Sequence, residues 1–179
     1  MNTFHNKRRQ NTIKNIEDAF FTYLKDRELS QIKVSDICKK ANINRSTFYA
    51  NYIDIYDLAD KILNRLEQEV MHLLEQDSAW NLSDKDFLRL FEHMQNNQTL
   101  YHFYFKLGYD HRSDLKLFDL CMQDHPFDTT YLDYHIAFFK SGFNAIVKMW
   151  LDKGCKESPQ QMKELLLREY SGRIITSKN

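Results

Sequence analysis

The sequence predicts an all-α fold of about nine helices, and three observations carry that prediction. Only four Gly and two Pro interrupt 179 residues, so turn punctuation is sparse and elements should run long. Apolar residues recur at spacings of three and four along nearly every segment, the period of a half-buried helix. No alternating run of β-branched residues and no internal repeat competes with that period. Hydrophobic residues at 42% and aromatics at 14% suffice to bury a core and are too abundant for a disordered chain. The length admits one large core, or a small domain joined to a medium one.

The elements follow in order. Ile13, Ile16, Phe20, Tyr23 and Leu24 form one stripe, with Thr12 just ahead of it as an N-cap. Residues 33–52 form two short helices, described below. Leu58, Ile62, Leu66, Val70 and Leu73 make a helix of about five turns at 3.6 residues each. Phe87, Leu90, Phe91 and Met94 make another, opened by a capping-box-like Ser83-Asp84-Lys85-Asp86. Residues 99–109 and 113–124 read as shorter helices broken around Gly108–Arg112. Tyr131 to Lys153 is a long helix, closed by Gly154, which tolerates the left-handed conformation. In Ser158-Pro159-Gln160-Gln161, Ser caps, Pro takes the first helical position and Gln161 bonds back, which opens a last helix ending at Gly172.

The segment between the first two stripes carries the chemistry. Val34, Ile37, Cys38 and Ala41 give the apolar face of a short helix. Asn42 enters the left-handed region more readily than most residues, which suits a tight turn, and Ile43 plugs that turn into the core. Asn44 then caps a second short helix, with Phe48 and Tyr52 inward at a spacing of four. Two short helices on a turn of three or four residues have helix-turn-helix geometry, in which the second helix enters the major groove of double-stranded DNA. Arg45, Ser46, Thr47, Tyr49 and Asn51 lie on its outer side, all able to hydrogen-bond. Arg45 is the candidate for a bidentate contact to guanine O6 and N7.

Charge distribution agrees, although the chain's formal net charge is zero. Residues 1–52 hold ten basic side chains against five acidic ones; the remainder holds fifteen against twenty. A basic front on an acidic body predicts a local polyanion site. Lys7, Arg8 and Arg9 open that front.

Other classes find little support. Cys38, Cys121 and Cys155 are odd in number and widely spaced, which fits reduced thiols in a cytoplasmic protein and no disulfide or zinc scaffold. The polar opening Met1-Asn2-Thr3 shows no signal peptide, and no stretch approaches the ~18 apolar residues of a membrane span. The histidines at 5, 72, 93, 102, 111, 125 and 135 give no pair three or four apart, so no metal site is expected. No phosphate loop, GxSxG elbow or HExxH helix is present, so no enzyme is expected.

The order of elements resembles the TetR family of bacterial regulators. The likeness covers about residues 8–66: a long amphipathic helix, then Val34-Ser35-Asp36-Ile37-Cys38-Lys39-Lys40-Ala41-Asn42-Ile43-Asn44-Arg45-Ser46-Thr47-Phe48-Tyr49-Ala50-Asn51-Tyr52, then a helix near Asp54. The resemblance implies a three-helix helix-turn-helix DNA-binding domain over 1–53 and a larger helical domain for ligand binding and dimerisation over 54–179. It implies a repressor that binds a (pseudo)palindromic operator as a homodimer, with Arg45, Ser46, Thr47, Tyr49 and Asn51 at the DNA. No cofactor is implied, and any small-molecule effector is unidentified. The family tends to place a phosphate-contacting Lys where this chain has Ile55, for which Lys7, Arg8 and Arg9 could compensate. That departure keeps a second reading open: a helical co-regulator of the same fold that acts through a protein partner, with weak or no effector and DNA binding.

In the last two helices, which relatives use to dimerise, Phe139, Gly142, Phe143, Ile146, Trp150 and Leu166 are the expected dimerisation residues. Ser141 and Gly142 are small enough to admit a second helix closely. The cluster His93, Tyr101, His102, Phe103, Tyr104, Phe105, Tyr109 and His111 reads either as an aromatic effector pocket or as plain core.

Overall fold

The computed structural model describes residues 3–74, 84–112 and 131–171, and among them every regular element is helical. In order these are α1 (Thr3–Leu24), a 3₁₀ turn (Leu29–Gln31), α2 (Val34–Ala41), α3 (Arg45–Tyr49) and α4 (Ile55–Leu74). They continue with α5 (Asp84–Asn96), α6 (Gln98–Lys106), α7 (Tyr109–Arg112), α8 (Leu132–Asp152) and α9 (Pro159–Ser171). Ser83, Gly172 and the helix expected over 113–124 lie outside the described residues. The chain divides into two compact units, Met1–Leu66 and Glu67–Asn179, with the division inside α4.

In the first unit α1 buries Ile16, Ala19, Phe20 and Leu24 and packs on α2, and α2 packs on α3. The expected start at Thr12 is corrected: α1 begins at Thr3, and the Thr12 hydroxyl donates to the Arg8 carbonyl at 3.0 Å inside the helix. A threonine can satisfy its hydroxyl either by capping or by bonding back one turn, so its identity alone does not mark an end. The start of α4 is fixed by two acids. Asp54 accepts from the Asp57 amide, and Asp57 from the Ile53 amide, each at 2.8 Å.

In the second unit α5 buries Phe87, Leu90, Phe91 and Met94. The Phe91 ring meets Trp150 of α8 edge-on at 5.5 Å. Helix α9 packs on α5, with Met162 and Leu166 buried, and α6 packs on α7 and α8. Asp110 and Lys148 tie α7 to α8 at 2.7 Å, with the ammonium 5.0 Å from the Phe105 ring centre. The turn from α8 to α9 needs two successive left-handed residues, Gly154 at φ +70° and Cys155 at φ +51°. Ser158 and Gln161 then form the reciprocal cap predicted from sequence, at 3.2 and 2.8 Å.

Candidate nucleic-acid interface

The site begins with the turn. Asn42 sits at φ 53°, ψ 52°, and its amide bonds back to the end of α2, while the Ile43 amide reaches the Cys38 carbonyl at 3.0 Å. This closes α2 and delivers the chain to α3 within three residues. Asn44 occupies the cap position of α3 in extended conformation, as expected, although its side chain makes no capping bond.

Helix α3 has only five residues and is held by its inward side. Phe48 is fully buried, with its ring 5.6 Å from those of both Tyr52 and Tyr49. The Tyr52 hydroxyl donates to Glu17 Oε1 at 3.3 Å, and Arg65 grips both oxygens of Glu17 at 3.0 and 2.8 Å. Burial, then the neighbouring Glu17 carboxylate, pushes the Tyr52 phenol well above its usual range, so it remains a proton donor. The network ties α1 and α4 to the residue that ends the reading segment. Its members are 35 and 48 residues apart, and no local sequence signal could have shown it.

The outward side carries the polar set. Arg45, Ser46 and Tyr49 are exposed, and Thr47 and Asn51 are half-buried. Arg45 makes no ion pair among the described residues; its charge partly offsets the burial that raises the Cys38 thiol. Lys7, Arg8 and Arg9 lie exposed on α1. Of these, Arg9 reaches the residue just past the end of α3, its Nε donating to Asn51 Oδ1 at 3.4 Å.

A groove of about 400 Å³ flanks α3, lined among others by Lys33, Ser35, Arg45, Tyr49, Asp54 and Tyr56. Sequence reasoning passed over Lys33, Ser35 and Tyr56. Tyr56 is a large aromatic left exposed at the start of a helix whose apolar stripe begins elsewhere, a signal that was available. Ile55 is only 5% exposed, so the position where relatives tend to carry a lysine is here a core contact.

The aromatic cluster of the second unit is mostly packed, with His102 exposed, Phe105 half-buried and the His111 side chain outside the described ones. Tyr101, Phe103, Tyr104 and Tyr109 are buried, and the Tyr101 hydroxyl pairs with His93 Nδ1 at 2.9 Å. Desolvation lowers the His93 pKa, partly opposed by Glu69. Of the expected dimerisation residues, Phe139, Phe143, Trp150 and Leu166 are buried within the chain, and Gly142 and Ile146 are half-buried. No described helix is long and apolar enough to cross a membrane.

Residues 81–169 match a TetR-type family described as the transcriptional regulator C-terminal region. The chain belongs to the TetR family of transcriptional regulators. It is similar in fold to a TetR transcriptional regulator from Streptococcus agalactiae, with a TM-score of 0.64 and 22% identity over 92% of this chain and 96% of that one. It is also similar to a dihydroxyacetone kinase operon activator, DhaS, with a TM-score of 0.62 and 21% identity over 91% of this chain and 96% of that one. No curated protein matches the chain. In this TetR-family regulator the family match falls on the C-terminal region, whereas the sequence motif that resembles the family lies in the N-terminal one.

Proposed function

We propose that the chain binds a two-fold symmetric DNA operator as a homodimer and regulates transcription there, with α3 as the reading helix. The observation that carries this reading is the outer face of α3. Arg45, Ser46 and Tyr49 stand exposed on a helix whose opposite side is pinned by the fully buried Phe48. A short rigid helix with hydrogen-bonding side chains at its N-terminal end is what the major groove accepts. Among the described residues no carboxylate neutralises Arg45, so its fork is available to a guanine edge. Ser46, Thr47 and Tyr49 serve neighbouring bases and phosphates, and Lys7, Arg8 and Arg9 bring positive charge from α1 to the backbone.

Two-fold symmetry requires a second copy, and the surface of α8 supports one. Beside the buried row Phe139, Phe143, Val147 and Trp150 runs a second row, Tyr134, Phe138, Ser141, Ala145 and Met149, all exposed at spacings of three and four. Tyr134 is 76% exposed and Met149 55%, a large apolar outlay for a helix surface. Exposed Leu165 of α9 adds a further apolar side chain to the second unit's surface. Half-buried Gly142 and Ile146 border the row, so they keep a place in the interface, whereas the four buried members of the expected set support α8 from inside.

The sign of regulation is a repressor's by family habit, although one structural relative is named an activator. Selection from a randomised duplex library tests the reading. Enrichment of a motif with two related half-sites is expected; recovery of no motif contradicts it.

A further inference from the structure

Asn51 was expected to touch DNA with the rest of α3, and its bonding gives it another task. Its Nδ2 donates to the Thr47 carbonyl at 2.8 Å, and its Oδ1 accepts from Arg9 Nε at 3.4 Å. Its backbone carbonyl accepts from Lys61 Nζ at 3.0 Å. An asparagine that reads adenine presents oxygen and nitrogen together to one base edge. Here the two ends of the amide already serve the protein. Asn51 also follows the last turn of α3, whereas base edges are met by the first residues of a reading helix.

The two cations it gathers are not equivalent. Lys61 is committed to Asp57 at 2.9 Å, which offsets its charge. Arg9 has no carboxylate beside it among the described residues. With Nε given to Asn51, the two terminal nitrogens remain, and that paired edge matches two oxygens of a phosphodiester.

We propose that Asn51 is a positioning residue: it holds Arg9 of α1 beside the end of α3, so that Arg9 grips a DNA backbone phosphate flanking the groove. This rests on the DNA-binding reading above.

The test is a double-mutant cycle in the full chain. Wild type, Arg9→Ala, Asn51→Ala and the double variant are titrated with the selected operator, with the randomised library and at several salt concentrations. Each single variant should lose about five- to tenfold affinity, evenly across sequences. Arg9→Ala should lower the log–log salt slope by about one. The double variant should bind no more weakly than Arg9→Ala, because Asn51 acts through Arg9. A change in base preference for Asn51→Ala, or losses that multiply in the double variant, overturns the proposal. So does wild-type affinity in Arg9→Ala, a surface variant that decides the matter even if Asn51→Ala unfolds. A wild-type chain that binds no DNA at any salt overturns instead the reading beneath it, and shows this before any variant is compared.

Discussion

The two units solve the same packing problem with different surfaces. Along α2 and α3 of the N-terminal unit inside and outside separate by residue type. Phe48 and Ile37 are buried, while Arg45, Ser46 and the lysines of α2 face water. In the C-terminal unit α8 is apolar on two sides: Phe139, Phe143 and Trp150 are buried, and Tyr134, Phe138 and Met149 are exposed. Where the outer face is polar, binary pattern alone reveals both core and candidate site. Where the outer face is apolar too, the pattern shows a helix and leaves open which side belongs to the chain's own core.

The largest expected effect tests that difference within one helix. Phe143→Glu places an unpaired charge in the core and should unfold the C-terminal unit, because a buried charge without a partner is heavily penalised. Met149→Glu, on the exposed row, should leave thermal unfolding of the monomer intact and convert dimers to monomers by light scattering. If Met149→Glu stayed dimeric, the partner-facing row would have to lie elsewhere.

In the N-terminal unit Phe48→Ala should cost roughly 3–5 kcal/mol, since the removed ring is fully buried. Thr47→Ala, one residue away, should keep its stability and weaken operator binding. Chemical denaturation of both variants checks the pair, and wild-type stability in Phe48→Ala would invert the assignment of faces.

What the sequence revealed follows the range over which the forces act. The turn at Asn42 and the reciprocal cap at Ser158 and Gln161 are set by neighbours within a few residues, and both were readable. Thr12 was not, because its hydroxyl has two local uses and only the helix around it chooses between them. The bonds between Glu17 and Arg65 and between Arg9 and Asn51 span 48 and 42 residues, so they exist only once α1 lies against the rest of its unit. The burial of Phe139, Phe143 and Trp150 on the inward side of α8 was not readable from the pattern for the same reason. A choice between two apolar rows is made by what α5 and α6 present to them.

A smaller effect is expected at the last helix. Ser158→Ala should cost about 1 kcal/mol, because it strips the cap from α9 and leaves a first-turn amide unpaired. An unchanged midpoint in thermal unfolding would mean that Pro159 and Gln161 suffice to start the helix.

The smallest effect is a pH dependence confined to the C-terminal unit. Burial lowers the His93 pKa below its ordinary 6.5, so the folded state binds this proton less readily than the unfolded state. The stability of neutral His93 is therefore present above about pH 6.5 and is lost as pH falls from there toward the folded pKa. His93→Gln should flatten the acid limb of the unfolding midpoint between pH 7 and 5; an unaltered limb would place the acid sensitivity on other groups.

The central claim, that α3 reads DNA sequence through Arg45, is tested most directly by one comparison. Wild type and Arg45→Ala are bound to a randomised operator library at two salt concentrations. Base readout predicts a loss of about 1–3 kcal/mol on the preferred operator and a relaxed preference at one base pair per half-site. An even loss across all sequences, with the salt slope lowered by about one, would place Arg45 on the phosphate backbone and contradict the claim.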